Sequence, residues 1–216
     1  MKKLMITAAV FATAFTLNSC GGKTEELKEE EVAKPSNPLE ALANMSEETN
    51  EAQAAADKKL AERRAKGDTL AMPYEELMKY LPESIDGYKR QEPDGESVNM
   101  TGMSFSSANV DFENEKGERI SVKIVDYNQA YGLYTTATAM WALGMSIDSP
   151  EEKAQGVKFE DDIAGWESIR KKSGDATVTL GVGYRFWVEV QADGQKDCEN
   201  VKSIAKKIDL KKLASL

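Results

Sequence analysis

The sequence predicts an α+β domain built on an antiparallel sheet of about six or seven strands flanked by helices. Three observations carry that expectation. Apolar and polar residues alternate over several short segments, as in Ile120, Val122 and Ile124 or Val178, Leu180 and Val182. The links between these segments are a few residues long, whereas a parallel sheet needs a crossover of about a dozen or more between neighbouring strands. Segments with helical spacing open, divide and close the region, so helices must pack on the sheet.

Taken in order, Tyr74, Leu77, Met78 and Leu81 fall at i, i+3, i+4 and i+7, with Pro73 at the start and Pro82 at the end. This predicts a short amphipathic helix. Strands are expected over GYKRQ from Gly87, SFSSANVDFE from Ser104 and RISVKIVDY from Arg119, with Asn114 to Gly117 joining the last two as a hairpin loop. The run from Gln129 to Met145 has no charge and follows Asn128, a good cap, so it reads as a helix against the sheet. Ser149, Pro150, Glu151 and Glu152 have the form of a capping box with proline at the first helical position, predicting a brief helical turn that Gly156 ends. Four more strands follow in VKFEDDI, GWESIRKK, ATVTLGV and YRFWVEVQA, the last two joined by a hairpin near Gly181 to Gly183. Cys198, Val201, Ile204, Ala205 and Ile208 mark one face of a closing helix, and Asp209 caps a final turn holding Leu210 and Leu213. The element order is similar in layout to the PsbP-like class of antiparallel sheets with flanking helices. That similarity rests on order alone and implies nothing about function.

The first twenty residues have a different character. Lys2 and Lys3 precede an apolar run from Leu4 to Leu17, which is shorter than the roughly 20 residues a membrane-spanning helix needs. The segment therefore reads as a secretory signal, and it closes on Leu17, Asn18, Ser19 and Cys20. This closing tetrapeptide resembles the lipobox of bacterial outer-membrane lipoproteins, although Asn18 departs from the usual small or aliphatic residue. The resemblance implies that residues 1–19 are cleaved and that the Cys20 thiol carries the lipid. Gly21 in place of an aspartate, with acidic residues soon after, resembles lipoproteins destined for the outer membrane, periplasmic or surface-facing.

Residues 20–70 read as a tether. GGKTEELKEEEVAKPSN is charged and broken by Pro35 and Pro38, so it buries too little apolar surface to offset the entropy of ordering. An exposed alanine-rich helix is expected next, with Ser46 as its cap, Glu47, Glu48 and Glu51 at its start, lysines and arginines at its end, and Gly67 stopping it. It has no broad apolar stripe and reads as a spacer. Asp68, Thr69 and Leu70 resemble an O-glycosylation acceptor of some bacterial lipoproteins. The globular domain is expected over 71–216.

With 28 basic and 37 acidic residues the net charge is -9, and no basic patch stands out. An acidic body is repelled by phosphate backbones, so nucleic acid is not an expected partner. The absence of histidine removes the Ser-His and Cys-His pairs and imidazole-based metal sites. Asp111, Glu113 and Glu115 alternate ahead of Gly117, but that glycine is one place too late for a calcium loop and the terminal glutamate is lacking, so no metal or cofactor is expected. With Cys20 assigned to lipid, Cys198 on its apolar stripe reads as a buried small hydrophobe.

These features favour a lipid-anchored binding or accessory module of the envelope, held near a membrane and meeting a protein or small-molecule partner. Tyr127, Tyr131 and Trp141 are the candidate ligand-facing aromatics, against the alternative that such rings at helical spacing are core. A second reading is a carboxylate-based hydrolase of glycosidase type, for which Asp126, Glu160, Asp161 and Asp162 are the clustered acids. A third is a structural or stress-sensing envelope lipoprotein.

Overall fold

Among the described residues nine strands form a single antiparallel sheet, larger than the six or seven strands expected. The computed structural model describes residues 38–130, 132, 134, 138, 141, 145–160 and 163–216. The signal segment, Cys20, Tyr131, Asp161 and Asp162 lie outside them, as does much of the helix expected over 129–145. In that stretch Asn128–Ala130 forms a 3-10 turn, and Gly132, Tyr134 and Thr138 are helical.

The strands are β1 (Lys89–Arg90), β2 (Asp94–Met100), β3 (Met103–Glu113), β4 (Arg119–Asp126), β5 (Ser146–Asp148), β6 (Glu152–Glu160), β7 (Ile163–Arg170), β8 (Ala176–Val182) and β9 (Phe186–Ala192). Their order is β1-β3-β4-β9-β8-β7-β6-β5, with β2 also on the outer edge of β3. Every neighbouring pair except β4–β9 and β1–β3 is a sequence-adjacent hairpin. The β4–β9 ladder, from Ile120 opposite Ala192 to Asp126 opposite Phe186, joins the two meanders into one sheet.

Two strands escaped the sequence pattern. β2, DGESVNM, is an exposed edge with little apolar content, and Gly95 sits where a Cβ would lie 2.7 Å from the Ser107 carbonyl oxygen and 2.9 Å from Tyr74 Cδ2. β5 pairs with β6 in place of the helical turn expected at Ser149. Ser149 does cap: its Oγ accepts from the backbone N–H of Glu151 (3.3 Å) and Glu152 (3.0 Å). Its own N–H, however, donates to the Glu152 carbonyl at 2.8 Å, so the same capping chemistry closes a β-turn. Tyr184 also differs, lying in the β8–β9 turn at φ 55° instead of in a strand.

One side of the sheet is the core. Phe112, Ile120, Val122, Ile124, Val178, Leu180, Val182, Phe186, Val188 and Val190 are all inaccessible to solvent. Onto them pack the helices α2 (Tyr74–Leu77, continued as a 3-10 turn through Tyr80), α3 (Glu199–Ala205) and α4 (Leu210–Ala214), which contribute Leu77, Val201, Ile204 and Leu213. Asp209 caps α4 as expected, its carboxylate accepting from Lys212 N–H at 3.1 Å. The Asn114–Gly117 hairpin loop is also as expected, with Asn114 Oδ1 accepting from Lys116 and Glu118 N–H.

The first helix, α1, runs Pro38–Ala65, beginning eight residues before Ser46. It is not merely a spacer. Ala56 and Arg63 are buried and Leu60 is half-buried, so a narrow side of its second half is turned inward. Ser36–Leu216 form a compact unit with its own hydrophobic core, the property of a domain able to fold alone. Among the described residues no helix is long and apolar enough to cross a membrane.

Candidate functional site

Where α1 ends, the chain meets the sheet through a buried polar network that the sequence reading did not anticipate. β4 delivers Asp126 to the helix-covered side, and the β8–β9 turn delivers Arg185. Their side chains form a two-pronged ion pair, with Nε to Oδ1 at 2.8 Å and Nη2 to Oδ2 at 2.7 Å. Asp126 is fully buried, and its remaining capacity is filled by the backbone N–H of Met72 (2.8 Å) and of Asn128 (2.9 Å). Arg185 Nη1 reaches Asp68 at 2.7 Å. Burial alone would lower the Arg185 pKa, but the hydrogen bond and charge of Asp126, reinforced by Asp68, raise it above its ordinary value.

Asn128 extends the network. Its Nδ2 donates to the Asp68 carboxylate (2.7 Å) and to the Leu70 carbonyl (2.9 Å), and its Oδ1 accepts from Arg63 Nε (3.3 Å). Arg63 also donates to the Tyr184 carbonyl at 3.3 Å, which uses the left-handed turn conformation of Tyr184. Ser104 Oγ accepts from Ala71 N–H, and Ser106 Oγ donates to the Met72 carbonyl. The segment from Arg63 to Met72 is thus sewn to the sheet end. Chemically this is a clasp: both oxygens of Asp126, one of the acids of the hydrolase reading, are engaged by donors of the protein itself.

Of the other acids in that set, Glu160 lies among the described residues and Asp161 and Asp162 do not. Glu160 is exposed and pairs with Lys211 at 3.0 Å, and it lies at the β6 end, on a different strand from Asp126. Among the described residues no group of three or more acidic or thiol side chains is placed to hold a metal ion.

The aromatic candidates lie on the opposite side of the sheet. Trp187 on β9 faces Gly181 and Val125 across its two neighbours. Trp141 packs against Trp187, ring centroids 5.2 Å apart and planes tilted by 39°. A Cβ on Gly181 would lie 2.5 Å from Tyr134 Oη and 3.0 Å from Trp141 Cζ3, so glycine is what lets these rings lie on the sheet. Tyr127 follows Val125 by two residues on that side and is half-buried; burial, then Glu189, raises its phenol pKa. Trp166, opposite Thr179, shares the side and is also half-buried. The structure therefore brings Tyr127 and Trp141 to one face together with Trp187, Trp166 and Tyr134. The signal for Trp187 and Trp166 was present in strand parity, since each alternates with core residues.

Cys198 sits at the start of α3, buried, donating its S–H to the Ser168 carbonyl at 3.3 Å. Burial, then Glu167, pushes its thiol up to about 11, which makes it a poor nucleophile at neutral pH.

The fold and these contacts define a class: an antiparallel sheet with helices packed on one side and an aromatic layer on the other. No family model matches the chain, and neither any curated protein nor any solved structure matches it.

Proposed function

We propose that this protein is a lipid-anchored component of the bacterial cell envelope, carried on the outer membrane through Cys20 and acting as a binding or accessory module. The observation that carries the reading is the order basic residues, short apolar run, then Leu17-Asn18-Ser19-Cys20, followed by an acidic tether. Two acyl-type chains on one thiol hold a protein to a bilayer far more firmly than any exposed surface of this acidic domain would. The clasp adds to the reading in a specific way. It turns the last turns of α1 into part of the domain, so only the chain before them is left to set the reach from the membrane.

The hydrolase reading is less well supported, because Asp126 is saturated by donors and Glu160 is exposed and paired. The test is metabolic labelling with a radioactive or clickable fatty acid. Label should enter the wild-type protein and be absent from Cys20→Ala, which should also leave the membrane fraction. Label retained in the variant, or an unmodified amino terminus by intact mass, would overturn the reading.

A further inference from the structure

One border of the sheet is an edge strand with an uneven pattern. β1 and β2 together line the outer edge of β3, and among the described residues no strand pairs with β2 on its far side. The opposite border is β5, only three residues long. β2 runs for seven residues, of which Asp94, Glu96, Ser97, Asn99 and Met100 are exposed. Its odd positions face the helices: Gly95 lies against Tyr74, and Ser97 Oγ accepts from the Tyr74 N–H at 3.0 Å. Asp94, Glu96, Val98 and Met100 therefore share the other side.

Edge strands are commonly blunted with charge, but here the charge stops half way. Asp94 and Glu96 form an acidic half. Val98, opposite Phe105, and Met100, 55% exposed and opposite Met103, form an apolar half. Among the described residues neither acid has a base within ion-pair distance. The base on that side in the same register, Lys123, lies beyond Asn109, two strands from Asp94. The bases outside the described residues all precede residue 38.

The backbone of this edge is open as well. Gly95 N–H donates to the Asp94 carboxylate at 2.8 Å, so it is turned away from β3. Alternation along an antiparallel ladder gives Ser97 and Asn99 the same direction, leaving their N–H and C=O groups to solvent. The side chains of both are already fixed, Ser97 by Tyr74 and Asn99 by the Ser104 hydroxyl, which donates to its Oδ1 at 2.6 Å. An incoming strand meets an edge that is ordered in advance.

We propose that β2 is the docking edge for an extended segment of a partner protein, added antiparallel, whose sequence reads apolar-x-apolar-x-basic-x-basic. Its backbone bonds Ser97 and Asn99, its apolar side chains meet Met100 and Val98, and its basic side chains meet Glu96 and Asp94. A second copy of this chain fits poorly. In an antiparallel pair centred on Ser97, its Asp94 and Glu96 would lie opposite Met100 and Val98, charge against apolar side chain, in a chain of net charge -9. This gives the binding module proposed above a partner class, and it rests on that reading for the role of binding alone.

Because Ser36–Leu216 is compact with its own core, the test uses that unit, which leaves out the lysines of the preceding segment, and the end-capped peptide TVTVTKTKT. Backbone NMR should show saturable shifts and slowed hydrogen exchange at the Ser97 and Asn99 amides. TVTVTETET should bind more weakly, and the first peptide methylated on its threonine nitrogens, which keeps every side chain, should not bind. Asp94→Asn with Glu96→Gln should weaken TVTVTKTKT by about threefold to tenfold, the effect of two cross-strand charge pairs. Both acids are exposed and the new amide retains the oxygen that accepts from Gly95, so the double variant should fold as the parent does. Binding of the methylated peptide, equal affinity for the lysine and glutamate peptides, or no saturable response at those two amides would overturn the proposal. So would self-association of the unit that protects the same amides, which would assign the edge to a second copy. Since the tested unit lacks Cys20, none of these outcomes bears on lipid attachment.

Discussion

Asp126 and Glu167 are both buried acids that project from the sheet toward its helix-covered side, yet they are held very differently. Asp126 meets the flat fork of Arg185 and two backbone N–H groups, so four donors converge on its two oxygens. Glu167 receives Gln155 Nε2 on Oε1 at 2.8 Å and stands 3.0 Å from Lys202 on Oε2, an ion pair without hydrogen-bond geometry. Lys202 is shared with Glu199 at 2.7 Å, and the Glu199 hydrogen bond is the main cause of its raised pKa. The first acid is locked between backbone segments. The second is a joint between helix and sheet, made by a flexible stem that solvent can still reach.

The difference sharpens into an ordered set of expectations. Arg185→Ala leaves Asp126 buried without its counter-charge and should destabilise the unit by about 3–5 kcal/mol in denaturant unfolding. A loss under about 1 kcal/mol would show that water replaces the guanidinium and that the network is not sealed. Lys202→Met should cost about 1–2 kcal/mol, the penalty of one poorly satisfied buried acceptor. An effect as large as that of Arg185→Ala would break the comparison. Asp68→Asn, at a half-exposed partner of Arg185, should cost about 0.5–1 kcal/mol and speed proteolysis between residues 63 and 72, read by the rate of appearance of the cleaved fragment.

The smallest effect is absent at pH 7 and emerges in alkali. The Cys198 thiol ionises near 11 in the folded protein against an ordinary 9.0, so the folded state holds its proton longer than the unfolded state. Its contribution to stability is complete below pH 9 and falls as pH rises through 11. Unfolding of Cys198→Ala measured from pH 8 to 11 should therefore decline less steeply than that of the parent, and parallel curves would refute the assignment.

Several parts of the fold were legible because burial on one side imposes a period of two. β4, β8 and β9 were read nearly to their ends, and the stripe Val201, Ile204, Ala205 correctly placed Cys198 inside. β2 and β5 were not legible, since an edge strand satisfies its ladder from one side and needs no apolar side chains to do so. Ser149 misled for a related reason: a hydroxyl that accepts from the next two or three N–H groups serves a helix start and a β-turn equally. The aromatic layer was half legible. Tyr127 and Trp141 were legible as candidate ligand-facing rings and Trp166 and Trp187 as aromatics to be placed, but that these four share one face with Tyr134 was not.

By itself, the order of residues determined the antiparallel sheet, its covering helices, the closing cap at Asp209, and the expectation that Cys20 is a lipid acceptor, because each of these follows from periodicity or from a contiguous motif. Only the tertiary structure decided that Arg63, Asp68, Asn128, Asp126 and Arg185 form one clasp. The hydrogen-bonded partners in the clasp are as many as 121 positions apart, as Arg63 is from the Tyr184 carbonyl. Their partners are chosen by which strand ends meet when β4 pairs with β9, and no local pattern in the chain encodes that meeting.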